Sequence, residues 1–495
     1  MRRPFPMIAA ALAALAPFSA GAETALTIYS TSPPGTLSAQ ALAAGGRPIP
    51  GFAVVRETRT LALAEGRGDV RFTDVAALID PTTVTFESLT DPAGTRVVEQ
   101  SFQFDLVGSE RLLQRYIDRD ISVERASGGN VDRTTGRLLS TAGGLTLLTP
   151  EGKVTILREH RSVELPGLPG GLMTRPTLVW DVQARRGGNH QARVGYQTEG
   201  LTWWTDYNVE YVEARDGACR LDLGAWVTLI NRSGASFEDA RLKLVAGDVQ
   251  RLRPPLLARD ARMAAQAAEA RVPGFEQKAF FEYHLYTLQR PASLPDRSTK
   301  QLELFDASRG VACEKRFVYE GARVPAWAGP EPLIERGYGA DANRKVDVLL
   351  EFANRRGNGP GAPLPAGRVR VSQRDAADGS LEFVGEDVID HTPKDERVRV
   401  RLGSAFDLVG ERRQADFKLD TRARTMTETI EVTVRNRKDR PVEVTVREPL
   451  YRWLNWSLAE TSHDFVKRDA RTVEFPLRAA AGGETTVRYT VRYSW

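Results

Sequence analysis

Apolar and polar residues alternate along much of this chain, and this pattern limits its fold more than any other feature. The clearest example is the stretch 430–435, where Ile430, Val432 and Val434 alternate with polar residues, and the pattern resumes at 442–447 after a short turn. A period of two residues is typical of strands with one buried face. We therefore predict a β-hairpin here, and a mainly β protein overall.

The length of 495 residues exceeds what one hydrophobic core usually organises. Short strands separated by Gly, Asp and Pro turns are typical of antiparallel β-sandwiches. We predict an N-terminal β domain over 23–190, a central β domain over 191–335, and an immunoglobulin-like β-sandwich over 340–495.

Residues 107–165 have a pattern of their own, in which a short helix or turn near Leu112 leads into strand-like stretches around Gly-rich turns. This order favours a small SH3-like or Sm-like barrel. The alternative is that these strands belong to the N-terminal sandwich, and the sequence does not choose between the two.

Two stretches interrupt the β pattern. The segment 254–275 contains an Ala-rich and Arg-rich run over 258–271 with almost no apolar face to bury, so we predict an exposed, partly helical or disordered linker within the central domain. A second linker is predicted over 354–366, which is rich in Gly and Pro.

Residues 1–22 have the order of a signal peptide: Arg2 and Arg3, a short apolar run, and small residues up to Ala22. The apolar run is shorter than the roughly 20 residues of a membrane-spanning helix. We therefore expect an exported protein, periplasmic or associated with the cell surface, without a transmembrane segment in the mature chain.

The balance of charge argues against nucleic acid as a partner. The chain has 68 basic and 64 acidic residues, and the two signs are interspersed. Nucleic-acid-binding proteins instead concentrate basic residues on one surface.

Cys219 and Cys313 are the only cysteines. In an oxidising compartment they have no competing partner, and each begins a strand-like stretch, so we predict a disulfide between them. The alternative is a pair of buried free thiols that act as small apolar residues.

One polar cluster follows a predicted strand in the last third of the chain. Carboxylates close to a histidine could bind a divalent cation or act as acid and base. The same residue types are ordinary in turns, particularly before proline. The cluster comprises Asp387, Asp390, His391, Asp395 and Glu396.

Known catalytic and cofactor motifs are missing from the sequence. The five histidines have neither the spacing nor the cysteine partners of a zinc site. We assign no catalytic residue, metal site or cofactor. Aromatic residues over 203–211 and 451–456 are interpreted as packing between sheets, with a carbohydrate-stacking platform as the alternative.

Five segments together resemble an exported bacterial family known as a domain of unknown function, whose relatives are labelled mucoidy inhibitor A-like. They are YQTEGLTWWTDY (196–207), LINRSG with ARLKLVAGD (229–248), EYHLY (282–286), IDHTPKDE (389–396) and GSAFD (403–407). The resemblance covers roughly residues 190–495. It implies an exported β-rich protein with no assigned activity.

The sequence supports two functional hypotheses. The first is a non-catalytic envelope protein that binds or scaffolds another surface component, either an envelope protein or a polysaccharide. The alternative is a hydrolase or metal-dependent enzyme that acts on envelope polysaccharide. The lack of a recognisable catalytic constellation favours the first, although whether the protein is an enzyme stays open.

Overall fold

A computed structural model describes ten segments of the chain, and within them it is mainly β, which confirms the predicted fold class. The expected signal peptide and the predicted linker 254–275 up to residue 274 lie outside the described residues. The described residues are 23–30, 49–103, 108–127, 130–167, 175–213, 218–247, 275–280, 283–322, 331–339 and 342–495.

Ten strands and one short helix precede residue 165 in the described part of the chain. They are β1 (Glu23–Tyr29), β2 (Phe52–Leu63), β3 (Gly66–Thr73), β4 (Ile79–Ser88), β5 (Thr95–Gln103), α1 (Ser109–Arg115), β6 (Asp120–Ser127), β7 (Asn130–Ser140), β8 (Leu145–Leu148), β9 (Val154–Leu157) and β10 (Ser162–Glu164).

The middle of the chain adds ten strands. They are β11 (Thr177–Ala184), β12 (Gly188–Glu199), β13 (Leu201–Glu213), β14 (Cys219–Asn231), β15 (Phe237–Ala246), β16 (Phe275–Phe280), β17 (Tyr283–Leu288), β18 (Ala292–Leu294), β19 (Ser298–Tyr319) and β20 (Lys345–Ala353).

The last third of the chain adds nine strands. They are β21 (Gly367–Arg374), β22 (Leu381–Ile389), β23 (Arg397–Asp420), β24 (Thr425–Asn436), β25 (Val442–Pro449), β26 (Trp456–Thr461), β27 (Val466–Lys467), β28 (Thr472–Ala479) and β29 (Glu484–Ser494). Within the described residues, no helix has both the length and the apolar character needed to span a membrane.

The predicted boundary near residue 190 does not separate two sheets. An eight-stranded sheet has the order β16-β17-β15-β1-β2-β12-β4, with β18 also paired to β15. Strand β1 runs parallel to β15, with Ala25 opposite Arg241, so the first described strand is built into a sheet of the predicted central domain. A three-stranded sheet, β3-β11-β5, contributes Phe72 and Trp180 to the same core.

Residues 109–164 form a unit with its own sheet and its own core. Helix α1 precedes five antiparallel strands in the order β10-β6-β7-β8-β9, so the last strand pairs with the first. This arrangement agrees with a separate small unit rather than further strands of the N-terminal sandwich. The core consists of Tyr116, Ile121, Val123, Leu138, Leu145, Leu147 and Leu157.

The largest sheet has 13 strands and connects two hydrophobic cores. Its main path is β22-β21-β13-β14-β19-β20-β23-β24-β29-β26. Val369 and Val398 belong to the first core, together with residues as early as Leu26, whereas Leu408 and Val432 belong to the second. Strands after residue 340 therefore contribute to both cores, and the predicted C-terminal domain does not coincide with one core.

The β-hairpin predicted from the alternation at 430–447 is wrong. Strand β24 pairs with β23 and β29, whereas β25 pairs with β28 and with the end of β19. Val432 and Val444 still lie in one core, because the two strands occupy opposite layers of a sandwich. Alternation shows which face of a strand is buried, but it does not show which strand is its neighbour.

Three buried asparagines lie just after or at the ends of strands and hold the following turns. Asn231 donates to the carbonyls of Ala235 and Leu294, at 2.8 and 2.9 Å. Asn436 donates to the carbonyls of Arg440 and Ala480, also at 2.8 and 2.9 Å. A buried amide is stable only when its donors and acceptor are satisfied, and these turns satisfy them.

The third asparagine corrects the linker predicted over 354–366. Asn354 is fully buried and donates to the carbonyls of Ala362 and Pro393, at 2.8 and 3.1 Å. The tyrosine hydroxyl of Tyr207 donates to the Pro365 carbonyl at 2.7 Å. The Gly and Pro residues thus form a loop packed on the first core rather than a linker.

Two buried ion pairs lie in the second core. Arg412 pairs with Glu448 at 2.9 Å, and Arg452 pairs with Glu428 at 3.0 Å. The Arg452 guanidinium also donates to four carbonyls of the segment 331–339, at 2.7 to 3.3 Å. This arginine therefore connects the segment to the sandwich.

We predict that Arg452→Met lowers the free energy of unfolding by about 3 to 5 kcal/mol, because Glu428 stays buried without its charged partner. Chemical denaturation of the purified protein measures the loss. Arg488→Met is the matched control, since Arg488 is exposed and pairs with Glu431 at 2.8 Å. Exposed pairs contribute about 1 kcal/mol or less, so equal losses in both variants would contradict this role of Arg452.

Candidate functional site

The structure contains the predicted disulfide between Cys219 and Cys313. The two residues are directly opposite each other on β14 and β19, with Cα atoms 5.0 Å apart. The bond joins two neighbouring strands in the middle of the largest sheet, next to the point where β19 leaves β14 and pairs with β20.

The predicted polar cluster does not converge on one point. Asp387 accepts hydrogen bonds from the backbone N–H groups of Arg401, at 2.6 Å, and Val388, at 2.9 Å. His391 accepts a hydrogen bond at Nδ1 from the backbone of Ala366, at 3.0 Å. These side chains hold neighbouring backbone in place.

The remaining three residues of the cluster belong to the turn itself. The Asp390 carbonyl accepts from the Thr392 hydroxyl at 2.8 Å. The backbones of Asp395 and Glu396 exchange hydrogen bonds with Asn354, at 2.7 and 2.8 Å. Among the described residues, no group of three or more His, Cys, Asp or Glu side chains is placed to hold a metal ion.

The first aromatic cluster is largely used for packing. Trp203 and Tyr207 are buried in the first core. Trp204 is partly buried and donates from its indole nitrogen to Asp206 at 2.8 Å. In the second cluster Tyr451 is buried, and its hydroxyl donates to the Tyr338 carbonyl at 3.2 Å.

A cavity of about 220 Å³ lies where the two cores meet, and we call it the junction cleft. Its walls come from distant parts of the chain, because β13, β19, β20, β21, β22, β23 and β25 all reach it. The aliphatic and phenylalanine side chains of its lining are Phe317, Val348, Leu350, Val384, Leu402, Ala405 and Val442.

Strand register explains why β19 contributes both a charge and an apolar ring to the cleft. Lys315 and Phe317 follow Cys313 at intervals of two residues, so all three side chains lie on one face of the sheet. Across the sheet, Lys315 is opposite Leu350 and Phe317 is opposite Val348. Cys313 and Lys315 are therefore successive residues on this face of β19, and the disulfide lies next to the charged end of the cleft.

Strand β22 closes one side of the cleft by packing on β23. A Cβ atom at Gly385 would lie 2.4 Å from the Leu402 carbonyl oxygen, so this close approach requires glycine. The hydrogen bond from the Arg401 backbone to Asp387 holds the same two strands together. Val384 is thereby placed beside Leu402 in the lining.

Three cations line the cleft: Lys315, Lys438 and Arg440. Glu213 accepts a hydrogen bond from Arg440 at 3.0 Å, and its carboxylate lies 3.8 Å from the Lys315 ammonium. The Tyr211 hydroxyl also donates to Glu213, at 3.1 Å. Two cations and one phenol thus share a single carboxylate.

The pKa values in the cleft follow from this arrangement. Desolvation, followed by the charge of Glu213, raises the pKa of Tyr211 to about 12. Desolvation lowers the pKa of Lys315, and the nearby cations Arg440 and Lys438 add to this effect against the attraction of Glu213. For Glu213, desolvation opposes ionisation, but Arg440 and Lys315 lower its pKa overall. The lowered pKa keeps Glu213 ionised as the shared counterion of Lys315 and Arg440.

Strands β22 and β23, which form one wall of the cleft, carry exposed apolar residues. Phe406 is 97 % exposed and Phe383 is 63 % exposed. They are the chain neighbours of Ala405 and Val384, which line the cleft. We call Phe383, Val384 and Phe406, three exposed apolar residues of these two strands, the mouth patch. Exposed apolar groups beside a concave site are typical of interaction surfaces.

A second cavity, of about 290 Å³, lies on the other side of β19 and includes Arg316, Glu443 and Arg478 in its lining. Arg316 lies 3.4 Å from Glu351, whose carboxylate also accepts from Arg399 at 2.6 Å. Much of this lining is polar and its charged groups include both signs. The junction cleft, with its apolar walls and excess of cations, is the stronger candidate.

The residues of the junction cleft were not identified from the sequence. Glu213, Lys315 and Arg440 are separated by more than 100 positions from one another, and each looks like an ordinary exposed charge in an alternating strand or a turn. Only the fold brings them within ion-pair distance.

We predict that the unreduced protein contains no thiol that reacts with an alkylating reagent under denaturing conditions. Mass spectrometry should detect two alkylated cysteines only after reduction. Replacing both cysteines by Ala should lower the free energy of unfolding by up to about 4 kcal/mol, because the bond closes a long loop. Two alkylated thiols in the unreduced protein would contradict the bond.

Comparisons with family models, with curated proteins and with solved structures found no match to this chain. The family resemblance drawn from the sequence therefore stays a prediction.

Proposed function

We propose that this chain is an exported, non-catalytic envelope protein that binds or scaffolds another surface component. The junction cleft and the mouth patch form the binding surface. The observation that carries this proposal is the combination of apolar walls and incompletely neutralised cations in one cavity. Such a site holds a ligand through apolar contact and orients it through charge.

The mouth patch supports the same function. Burying a phenylalanine side chain stabilises a protein or a complex by about 1.5 to 3 kcal/mol. Phe406 gains almost none of this in the isolated chain because its ring lies in solvent. Binding of a partner that covers Phe383 and Phe406 would gain this stabilisation. Exposed aromatic residues act in this way at interfaces.

Export to the periplasm or the cell surface is part of the proposal. It is supported by the order of residues 1–22 and by the Cys219–Cys313 disulfide, because such bonds persist in oxidising compartments. The partner is another envelope component, either a protein or a polysaccharide.

A hydrolase or metal-dependent enzyme that acts on envelope polysaccharide was the alternative. Its support was the carboxylates around His391 and the aromatic clusters. Asp387 and His391 hold backbone in the turn after β22 and against β23, and Trp203 and Tyr207 are buried in the first core. No contact among the described residues favours this alternative.

Photocrosslinking tests the proposed binding surface. We predict that p-benzoylphenylalanine at Phe406 captures a partner of discrete mass when intact envelopes are irradiated, and that Arg440→Gln in the same protein reduces the adduct. The control position is Leu454, which is 59 % exposed and is not among the residues that line the cleft. Adducts of equal yield at both positions, or an adduct that is independent of Arg440, would contradict the proposal.

A further inference from the structure

We propose that the junction cleft binds an amphipathic monocarboxylate, with the carboxylate between Lys315 and Arg440 and the apolar chain against Phe317 and Leu402. This inference rests on the proposed binding function and names the chemistry of the ligand.

The charge balance of the cleft indicates a monoanion. Lys315 and Arg440 carry two positive charges, and the carboxylate that they share, Glu213, carries one negative charge. Lys438 is matched by Asp407, at 3.5 Å. Among the described residues, one positive charge therefore has no counterion in the cleft. One carboxylate would balance this charge, whereas a phosphate dianion would exceed it.

The surroundings of Lys315 favour an interaction between its ammonium group and an anionic ligand. Its side chain is 32 % exposed, and its ammonium lies 5.2 Å from the centre of the Tyr211 ring. Burial against apolar groups weakens hydration of the ammonium and lowers its pKa. A bound carboxylate would give this partly desolvated ammonium a second anionic partner and a charge-assisted hydrogen bond.

The apolar walls account for the rest of the ligand. Phe317, Leu350 and Leu402 offer the hydrocarbon surface that an aliphatic chain requires. The volume of about 220 Å³ is smaller than the roughly 300 to 1,000 Å³ of sites for drug-sized molecules. The cleft therefore holds a short chain, or the first part of a longer chain that extends into solvent.

Calorimetry of the purified mature protein tests this inference with octanoate as the probe. Octanol has the same chain without the charge, and acetate has the charge without the chain. We expect octanoate to bind about tenfold or more tightly than either. Octyl phosphate, as a dianion, should bind no more tightly than octanoate.

Two substitutions test whether octanoate binds in the junction cleft. Lys315→Gln and Arg440→Gln should each weaken octanoate binding by about tenfold or more, the usual effect of losing a charged hydrogen-bond partner. Arg440 is 58 % exposed, so its replacement leaves the cores intact. Lys153→Gln is the matched control, because Lys153 is exposed in the turn between β8 and β9 of the small separate sheet and should leave octanoate affinity unchanged.

Several results would overturn the ligand class. They are equal affinity for octanol and octanoate, tighter binding of octyl phosphate, or no effect of both cleft variants. Tighter binding of an acetylated and amidated pentapeptide with one glutamate among leucines would make a protein segment the occupant. If octanoate does not bind but the Phe406 adduct still depends on Arg440, the ligand class is wrong and the proposed binding function stands.

Discussion

Strand β19 is the element on which the rest of the structure depends, because one continuous strand of 22 residues enters both large cores. Its first part pairs with β14 beside the first core, and its last part pairs with β20 and β25 beside the second. Because the strand is continuous, the residue pairing in its first part fixes the position of the pairing in its last part. The two sandwiches therefore cannot shift relative to each other along β19. The disulfide at Cys313 lies where β19 changes partners and fixes that register covalently.

Buried polar side chains define the turns around this framework. Asn231, Asn354 and Asn436 are each 1 % exposed or less, and each donates to carbonyls from more than one chain segment. Arg452 acts in the same way on the segment 331–339. Such groups are costly to bury unless every partner is in place, so they favour one arrangement of the loops over the alternatives.

The junction cleft is a consequence of joining two cores through shared strands. Side chains near the join cannot pack fully into either core, and a concave gap with apolar walls is left between them. Strand alternation then places Lys315 on the same face as Cys313 and Phe317, while Arg440 enters from the turn after β24. Glu213 compensates part of the charge. The same geometry that couples the cores thus creates a cavity with a net positive side.

The sequence by itself determined the mainly β class and which faces of many strands are buried, because side-chain alternation is a local property of an extended backbone. It also predicted the disulfide, because Cys219 and Cys313 are the only two cysteines, and the structure confirmed it. Only the tertiary structure decided that β24 and β25 lie in opposite layers, that β1 joins β15, and that 354–366 is a packed loop. It alone brought Glu213, Lys315 and Arg440 together. Strand pairing and charge clustering depend on contacts between residues far apart in the chain, and no local pattern encodes them.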